Sequence, residues 1–229
     1  VHFAVADNGT LVFVPQLQGE DENELVWVDH RGGIEALKAP AQPYIAPRVS
    51  PDGRTVMATI GHSFGAGDVW KFDIARETMT RITFDEKSLL MYWTPDGKRM
   101  VYQTEDGPFK IIVRDLEGDG GEKEIFSMPQ PLVISGITPD GRWVLFSQWG
   151  SNDSDVLMVP IEGAQEPTVV VREDQDQGDS RVSPDGRWIV YESRQSGQLE
   201  VFVRPFPAGT GKWQVSTGGG VKPLWAPRG

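Results

Sequence analysis

Cysteine is absent from this 229-residue sequence, and basic residues are scarce beside acidic ones. Without cysteine the chain cannot form disulfides, thiolate metal sites or a thiol nucleophile, while reducing and oxidising compartments both stay open. The 22 Lys and Arg against 33 Asp and Glu give a formal net charge of -11, which repels nucleic acid and anionic lipid. Long apolar runs are also missing, since none approaches the roughly 18 residues of a membrane span. We therefore expect no nucleic-acid partner and no membrane span in this segment.

Histidine is almost as scarce, and this limits the catalytic chemistry that the sequence could perform. The segment 61–65, Gly-His-Ser-Phe-Gly, matches the nucleophile elbow of α/β-hydrolases. That motif needs an Asp and then a His later in the chain, whereas all three histidines precede Ser63. A strand-like segment, 68–72, also follows where the elbow requires a helix. We interpret the segment as a loop and predict no catalytic residue.

A turn motif, Ser/Thr-Pro-Asp-Gly, recurs along the whole chain at nearly constant spacing. Four copies are complete, and a weaker copy lies near each end. The motif Asp and its equivalents are Asn8, Asp52, Asp96, Asp140, Asp185 and Arg228, at intervals of 44, 44, 44, 45 and 43 residues. Pro presets φ, Asp bonds nearby backbone amides and Gly accepts positive φ. Each complete copy therefore predicts a tight turn between two strands, with a structural carboxylate.

Four β-rich segments in each repeat predict the architecture. A period near 44 residues with four short strands matches a propeller blade. We predict an all-β fold, a β-propeller of four-stranded antiparallel blades, with five complete blades plus the first strand of a sixth. The whole of 1–229 forms one propeller domain in this interpretation. The blades are expected at about 1–43, 44–88, 89–131, 132–178 and 179–220, with a partial sixth blade at 221–229.

The residue three positions before each motif Asp is apolar in every repeat, which predicts core between blades. These residues are Val5, Val49, Trp93, Ile137, Val182 and Trp225. A ring that lacks strands leaves unpaired edges. We therefore expect either a piece of a longer protein or self-association through the open edges.

Two arginines depart from the repeat pattern. Arg48 and Arg181 lie four residues before their motif Asp. The other repeats carry Ala4, Tyr92, Gly136 and Leu224 at this position. Either arginine could hold an anionic ligand or a partner's carboxylate, although pairing with neighbouring acids of this acidic protein is the favoured alternative.

Acid-rich segments at 115–122 and 173–179 suggest calcium loops only superficially. Neither has the ligand spacing of an EF-hand, whose twelfth position is a Glu. We interpret both as solvated turns and predict neither a metal site nor a cofactor.

The repeats resemble those of a known family. SPDGR, DVWKFDIARETMTRITFD and VFVRPFPAGTGKWQVSTGGG are similar to the TolB-like six-bladed propeller repeats of bacteria. LVWVDHRG and the segment from VRPFP to STGGG resemble propeller regions joined to bacterial membrane-anchored serine/threonine kinases. The resemblance implies six blades, and it alone favours a periplasmic or extracytoplasmic location.

Propellers bind partners mainly through loops at one end of the central channel. The residues that we expect on this surface are Arg48, His62, Asp85, Trp149, Asp176, Asp179, Arg181 and Arg194. Such a mixed surface favours a protein or peptide partner, so we predict a non-catalytic sensor or scaffold module of a larger bacterial protein. The alternatives are the gating propeller of a prolyl oligopeptidase-type peptidase, whose hydrolase domain lies outside this segment, and a lectin for small molecules or glycans.

Overall fold

All regular structure in the described part of the chain is β-strand. The structure, a computed structural model, describes residues 2–5, 11–14, 22–29, 31–61, 67–105, 107–118, 120–148, 154–163 and 166–226. These ranges contain twenty strands and no helix, hence no helix that could cross a membrane. The chain divides into two compact units, Val1–Asp106 and Gly107–Gly229.

The first unit contains ten strands in antiparallel order. They are β1 His2–Val5, β2 Leu11–Val14, β3 Val26–Val28, β4 Ile34–Ala36, β5 Tyr44–Val49, β6 Thr55–Ile60, β7 Asp68–Asp73, β8 Thr78–Arg81, β9 Ser88–Trp93 and β10 Arg99–Thr104. Strands β1 to β4 form one four-stranded sheet in chain order, and β5 to β8 form the next. Within each of these two sheets, strands that follow one another in the chain pair antiparallel.

The second unit repeats this arrangement. Its strands are β11 Phe109–Asp115, β12 Glu122–Met128, β13 Leu132–Ile137, β14 Trp143–Gln148, β15 Val156–Pro160, β16 Thr168–Val171, β17 Gln177–Val182, β18 Trp188–Ser193, β19 Glu200–Pro205 and β20 Trp213–Gln214. Strands β13 to β16 and β17 to β20 form sheets, and a fifth sheet has the order β12-β11-β10-β9. Five four-stranded antiparallel blades confirm the predicted propeller class. The predicted first strand of a sixth blade is not shown: 221–226 lie outside all the sheets, and 227–229 lie outside the described residues.

The second strands β6, β10, β14 and β18 are each mostly buried. In β6 and β14 the four central residues are all buried, whatever face of the sheet they occupy. A strand that is apolar on both faces must be covered on both sides. In the first unit, Val12 and Leu25 of one blade join Val56 and Phe72 of the next in a single cluster. Successive blades thus share their cores.

The motif turns are closed by one repeated hydrogen-bond pattern. Asp52 Oδ1 accepts from Ser50 Oγ at 2.6 Å and from the Arg54 amide at 3.1 Å, while Ser50 Oγ accepts from the Thr55 amide at 3.0 Å. The same bonds recur around the other three complete motifs, at Asp96, Asp140 and Asp185. The structural interpretation of these aspartates is confirmed.

The prediction of a buried core three residues before each motif Asp is only partly correct. Among the described side chains at this position, Val182 is buried, whereas Val49, Trp93, Ile137 and Trp225 are half-buried. Both tryptophans use the indole N–H to contact the preceding blade. Trp93 Nε1 donates to the Arg48 carbonyl at 3.2 Å, and Trp225 Nε1 donates to the Arg181 carbonyl at 3.0 Å. Each indole bonds to the first strand of the preceding blade.

Replacing Trp93 with Phe tests this bond. Trp93→Phe keeps an aromatic ring but removes the donor to the Arg48 carbonyl, so the free energy of unfolding should fall by about 1 kcal/mol. Trp143→Phe is the matched control, because the Trp143 indole is also half-buried and donates no hydrogen bond to a described residue. Urea unfolding measures both. Equal losses in the two variants would contradict a role for the bond.

The turn motif also makes a prediction about acid. The Ser183 hydroxyl, followed by the side chain and amide of Arg187, lowers the pKa of Asp185 from its usual 3.8 to about 2. A carboxylate with a lowered folded pKa contributes stability above pH 3.8, and this contribution is lost as the pH falls towards 2. We expect the Asp185 carboxyl carbon to titrate near pH 2 by NMR, and at higher pH in Ser183→Ala. Titration near pH 3.8 in the wild type would contradict the bonded turn.

Candidate functional site

The structure brings four of the eight predicted site residues together. His62 and Trp149 lie outside the described residues. Asp85 instead closes a local turn, where its Oδ1 accepts from the Lys87 amide at 3.1 Å and from Ser88 Oγ at 3.0 Å. Arg48 lies in β5 of the first unit. The remaining four, Asp176, Asp179, Arg181 and Arg194, all lie in or beside the first two strands of the last blade.

Asp176 and Arg194 join two loops of this blade. The Arg194 amide donates to the Asp176 carbonyl at 3.0 Å, which links the end of β18 to the segment before β17. Arg194 Nε lies 4.0 Å from Asp176 Oδ2, and the side chains of Arg194 and Asp176 are 49% and 39% exposed, respectively. An exposed pair at this distance contributes little energy. The backbone bond therefore fixes the loops, and the charged groups remain open to solvent.

Asp179 and Arg181 form a closer pair on β17. Arg181 NH1 lies 3.0 Å from Asp179 Oδ1 and also donates to the Ser180 carbonyl at 2.8 Å. The register of β17 against β18 shifts between Gly178 and Arg181, and Asp179 has a φ of 32°. Such a bulge redirects side chains away from the regular alternation of a strand. It places both charged groups on the same stretch of the edge strand.

Glu192 completes this group of charges and is not among the site residues predicted from the sequence. It lies on β18 opposite Gly178 and is half-buried. Burial raises the pKa of Glu192, and the negative charge of Asp179 raises it further, while the Lys222 amide that donates to Glu192 Oε1 lowers it. We call Asp179, Arg181, Glu192 and Lys222 the last-blade charge cluster. The sequence does distinguish Glu192 from its equivalents. The other complete repeats carry the uncharged residues Thr59, Gln103 and Ser147 at this position.

A second set of acids serves the framework. Asp68, Asp155 and Glu200 begin the third strand of their blades or lie just before it, 15 or 16 residues after the motif Asp. Glu200 is buried and accepts from the Gly218 and Gly219 amides, both at 2.8 Å, and from the Ser216 hydroxyl. Asp68 similarly accepts from Arg81, from Thr83 Oγ1 and from the Glu86 amide. These three carboxylates hold the loops that follow the fourth strands of their own blades.

A half-buried ion pair anchors the loop before β20. Lys212 Nζ lies 2.7 Å and 2.8 Å from the two carboxylate oxygens of Glu173, which also accepts from the Tyr191 hydroxyl at 2.8 Å. Burial is the main cause that raises the pKa of Tyr191. Within the described ranges, no group of three or more His, Asp and Glu side chains is arranged to hold a metal ion.

Solved structures share this fold at low sequence identity. A TolB from Agrobacterium tumefaciens aligns with a TM-score of 0.76 at 18% identity, over 93% of this chain and 79% of its own. TolB from Acinetobacter baumannii gives 0.72 at 20% identity, over 90% and 52%. A prolyl endopeptidase gives 0.64 at 15% identity, over 95% and 36%. Neither protein-family profiles nor curated protein sequences give a match. The chain therefore has a TolB-like β-propeller fold.

The charges of Glu200 and Glu192 are expected to affect stability in opposite directions. The Ser216 hydroxyl and the loop amides lower the pKa of Glu200, so its charge stabilises the fold above its usual pKa of 4.5. Burial raises the pKa of Glu192, so its charge opposes folding at neutral pH and that opposition ends as the pH falls. At pH 7 we expect Glu200→Gln to lower the free energy of unfolding and Glu192→Gln to raise it. Urea titrations measure both variants. If Glu192→Gln also lowers the free energy of unfolding, Glu192 has a structural role and the prediction is contradicted.

Proposed function

We propose that this chain is a non-catalytic binding module of a larger bacterial protein and that it holds a protein or peptide partner through its loops and the last-blade charge cluster. The observation that carries the proposal is the cluster itself. Asp179 and Arg181 lie half-buried on a bulged strand, Glu192 lies half-buried on the next strand, and the exposed Lys222 donates its amide to Glu192. Burial raises the pKa of Glu192 and so disfavours its charge. Groups kept where they reduce stability are candidates for function.

The chemistry of the cluster suits a polypeptide. It offers charges of both signs within one blade, and a polypeptide supplies both signs together with amide donors and acceptors. Strand β17 is the edge strand of its sheet, so an extended segment could add to its outer edge while side chains meet the cluster. The cross-loop bond between Asp176 and Arg194 holds the adjoining loops in place, which reduces the ordering needed on binding.

The six-blade count also belongs to this proposal. Residues 220–225 repeat three features of β9 and the other first strands. The Gly220 amide donates to the Leu199 carbonyl at 2.9 Å, as the Ser88 amide does to the Gly67 carbonyl at 3.0 Å. Trp225 bonds the preceding blade as Trp93 does. Lys222 has the positive φ found at the equivalent Ala46 and Asp179. We infer that this segment takes the place of the first strand of a sixth blade.

The alternative is the gating propeller of a prolyl oligopeptidase-type peptidase. It is favoured by the alignment of 95% of this chain with only 36% of a prolyl endopeptidase. The parent reading frame separates the two. A kinase domain and a membrane span upstream support the sensor or scaffold, and a hydrolase domain downstream with its own Ser, Asp and His supports the peptidase.

Peptide selection tests the proposed function directly. The immobilised protein is panned against a phage-displayed peptide library, and enriched peptides are measured against Arg181→Gln. We expect a loss of affinity of about tenfold or more, because charge-assisted hydrogen bonds contribute about 1.5–3 kcal/mol. The melting temperature should stay close to that of the wild type.

Arg142→Gln is the matched control, since Arg142 is an exposed arginine of a motif turn in the same unit. It should bind as the wild type does. No enrichment from the library, or equal binding by Arg181→Gln and Arg142→Gln, would overturn the proposal.

A further inference from the structure

Arg48 and Arg181 occupy equivalent positions but differ in one respect. Both guanidinium groups are anchored by NH1, which donates to the carbonyl of the preceding residue at 2.9 Å for Arg48 and 2.8 Å for Arg181. Arg181 then meets the carboxylate of Asp179 at 3.0 Å. The residue equivalent to Asp179 in the blade of Arg48 is Ala46, which is buried and carries no charge. The two blades have a similar backbone conformation at this position, since Ala46 and Asp179 both have a positive φ.

Within the described ranges, Arg48 contacts neutral groups only. Among the described residues, no carboxylate lies within salt-bridge distance of it, in a protein with 33 acidic residues. Its NH2 donates to the Tyr92 hydroxyl at 3.1 Å, and its guanidinium lies 4.7 Å from the centre of the Tyr92 ring. Two of the five N–H groups are thereby engaged, and neither is bonded to an anion.

Arg48 is also held in position. The bond to the Pro47 carbonyl and the contact with the Tyr92 ring fix the plane of a side chain that is half-buried. Fixing the fork of an arginine in advance lowers the entropy lost when a carboxylate binds. An exposed arginine of a motif turn, such as Arg142, lacks such contacts to described residues. The protein therefore holds the Arg48 guanidinium in a defined orientation, whereas the side chain of an exposed arginine such as Arg142 is surrounded mainly by solvent.

We propose that Arg48 binds an acidic side chain of the peptide or protein partner, with the carboxylate pairing with Arg48 as Asp179 pairs with Arg181. This inference rests on the proposed function and adds a specific ligand group and a second contact point. The net charge of -11 disfavours strongly acidic segments. The preferred ligand is thus a single Asp or Glu within an otherwise neutral segment.

A blocked tripeptide tests the site without knowledge of the natural partner. Acetyl-Gly-Asp-Ser-amide reproduces the local sequence at 178–180, and acetyl-Gly-Asn-Ser-amide is the same peptide without the charge. Titration of the ¹⁵N-labelled full chain should give saturable shifts at 44–49 and Tyr92 with the Asp peptide. The Asn peptide should bind about tenfold or more weakly, the factor that corresponds to one charge-assisted hydrogen bond.

Arg48→Gln should abolish the saturable shifts, whereas Arg142→Gln should leave them unchanged. Arg48→Lys keeps the charge without the planar fork and should lose affinity several-fold. The inference is overturned if the Asp and Asn peptides bind alike, or if Arg48→Gln still shows saturable shifts at the same residues. If the library yields binding peptides but the Asp tripeptide does not bind at Arg48, only the Arg48 site is overturned. If the Asp tripeptide binds saturably at Arg48 but the library yields no binding peptide, only the proposed function is overturned.

Discussion

The constraint on which this structure depends is that each four-stranded sheet must cover both of its apolar faces with neighbouring sheets. The central strands are buried on both sides, as in β6 and β14, so no blade could keep its core dry alone. The shared clusters follow from this. In the second unit, Val156 and Met158 of one blade meet Ile189 and Phe202 of the next. The tryptophan bonds to the preceding blade add a directional contact to this non-directional burial.

The charged residues fall into two groups. Some stabilise the fold through local hydrogen bonds, and others do not contribute to its stability and are candidates for binding. Glu200 and the motif aspartates accept several local hydrogen bonds, and these bonds lower the pKa of Glu200 and of three of the four aspartates. Glu192 is the opposite case, since burial dominates and raises its pKa. A fold made of repeated parts makes such contrasts easy to see, because equivalent positions provide internal controls. Arg48 and Arg181 are another such pair, because among the residues that the structure describes Asp179 pairs with Arg181 and no carboxylate pairs with Arg48.

Much of the fold could be predicted from the sequence because its signals are local. Each Ser/Thr-Pro-Asp-Gly motif determines a turn within six residues, and the constant interval then gives the number of blades. The site depended on contacts that no local pattern contains. Glu192 meets Asp179 only through the register of β18 on the bulged β17. Trp225 and Arg181 were both singled out, yet their bond requires two segments 44 residues apart to be stacked. The roles predicted for His62 and Trp149 stay predictions.

Hydrogen exchange in a Trp225→Ala variant tests the central constraint most directly. If blades depend on their immediate neighbours, removing this side chain should reduce the protection of amides in β17 and β18, which Trp225 adjoins through Arg181. Amides of β5 to β8 should keep the protection that they have in the wild type. A uniform loss of protection over all five blades, or no loss in β17 and β18, would contradict the account.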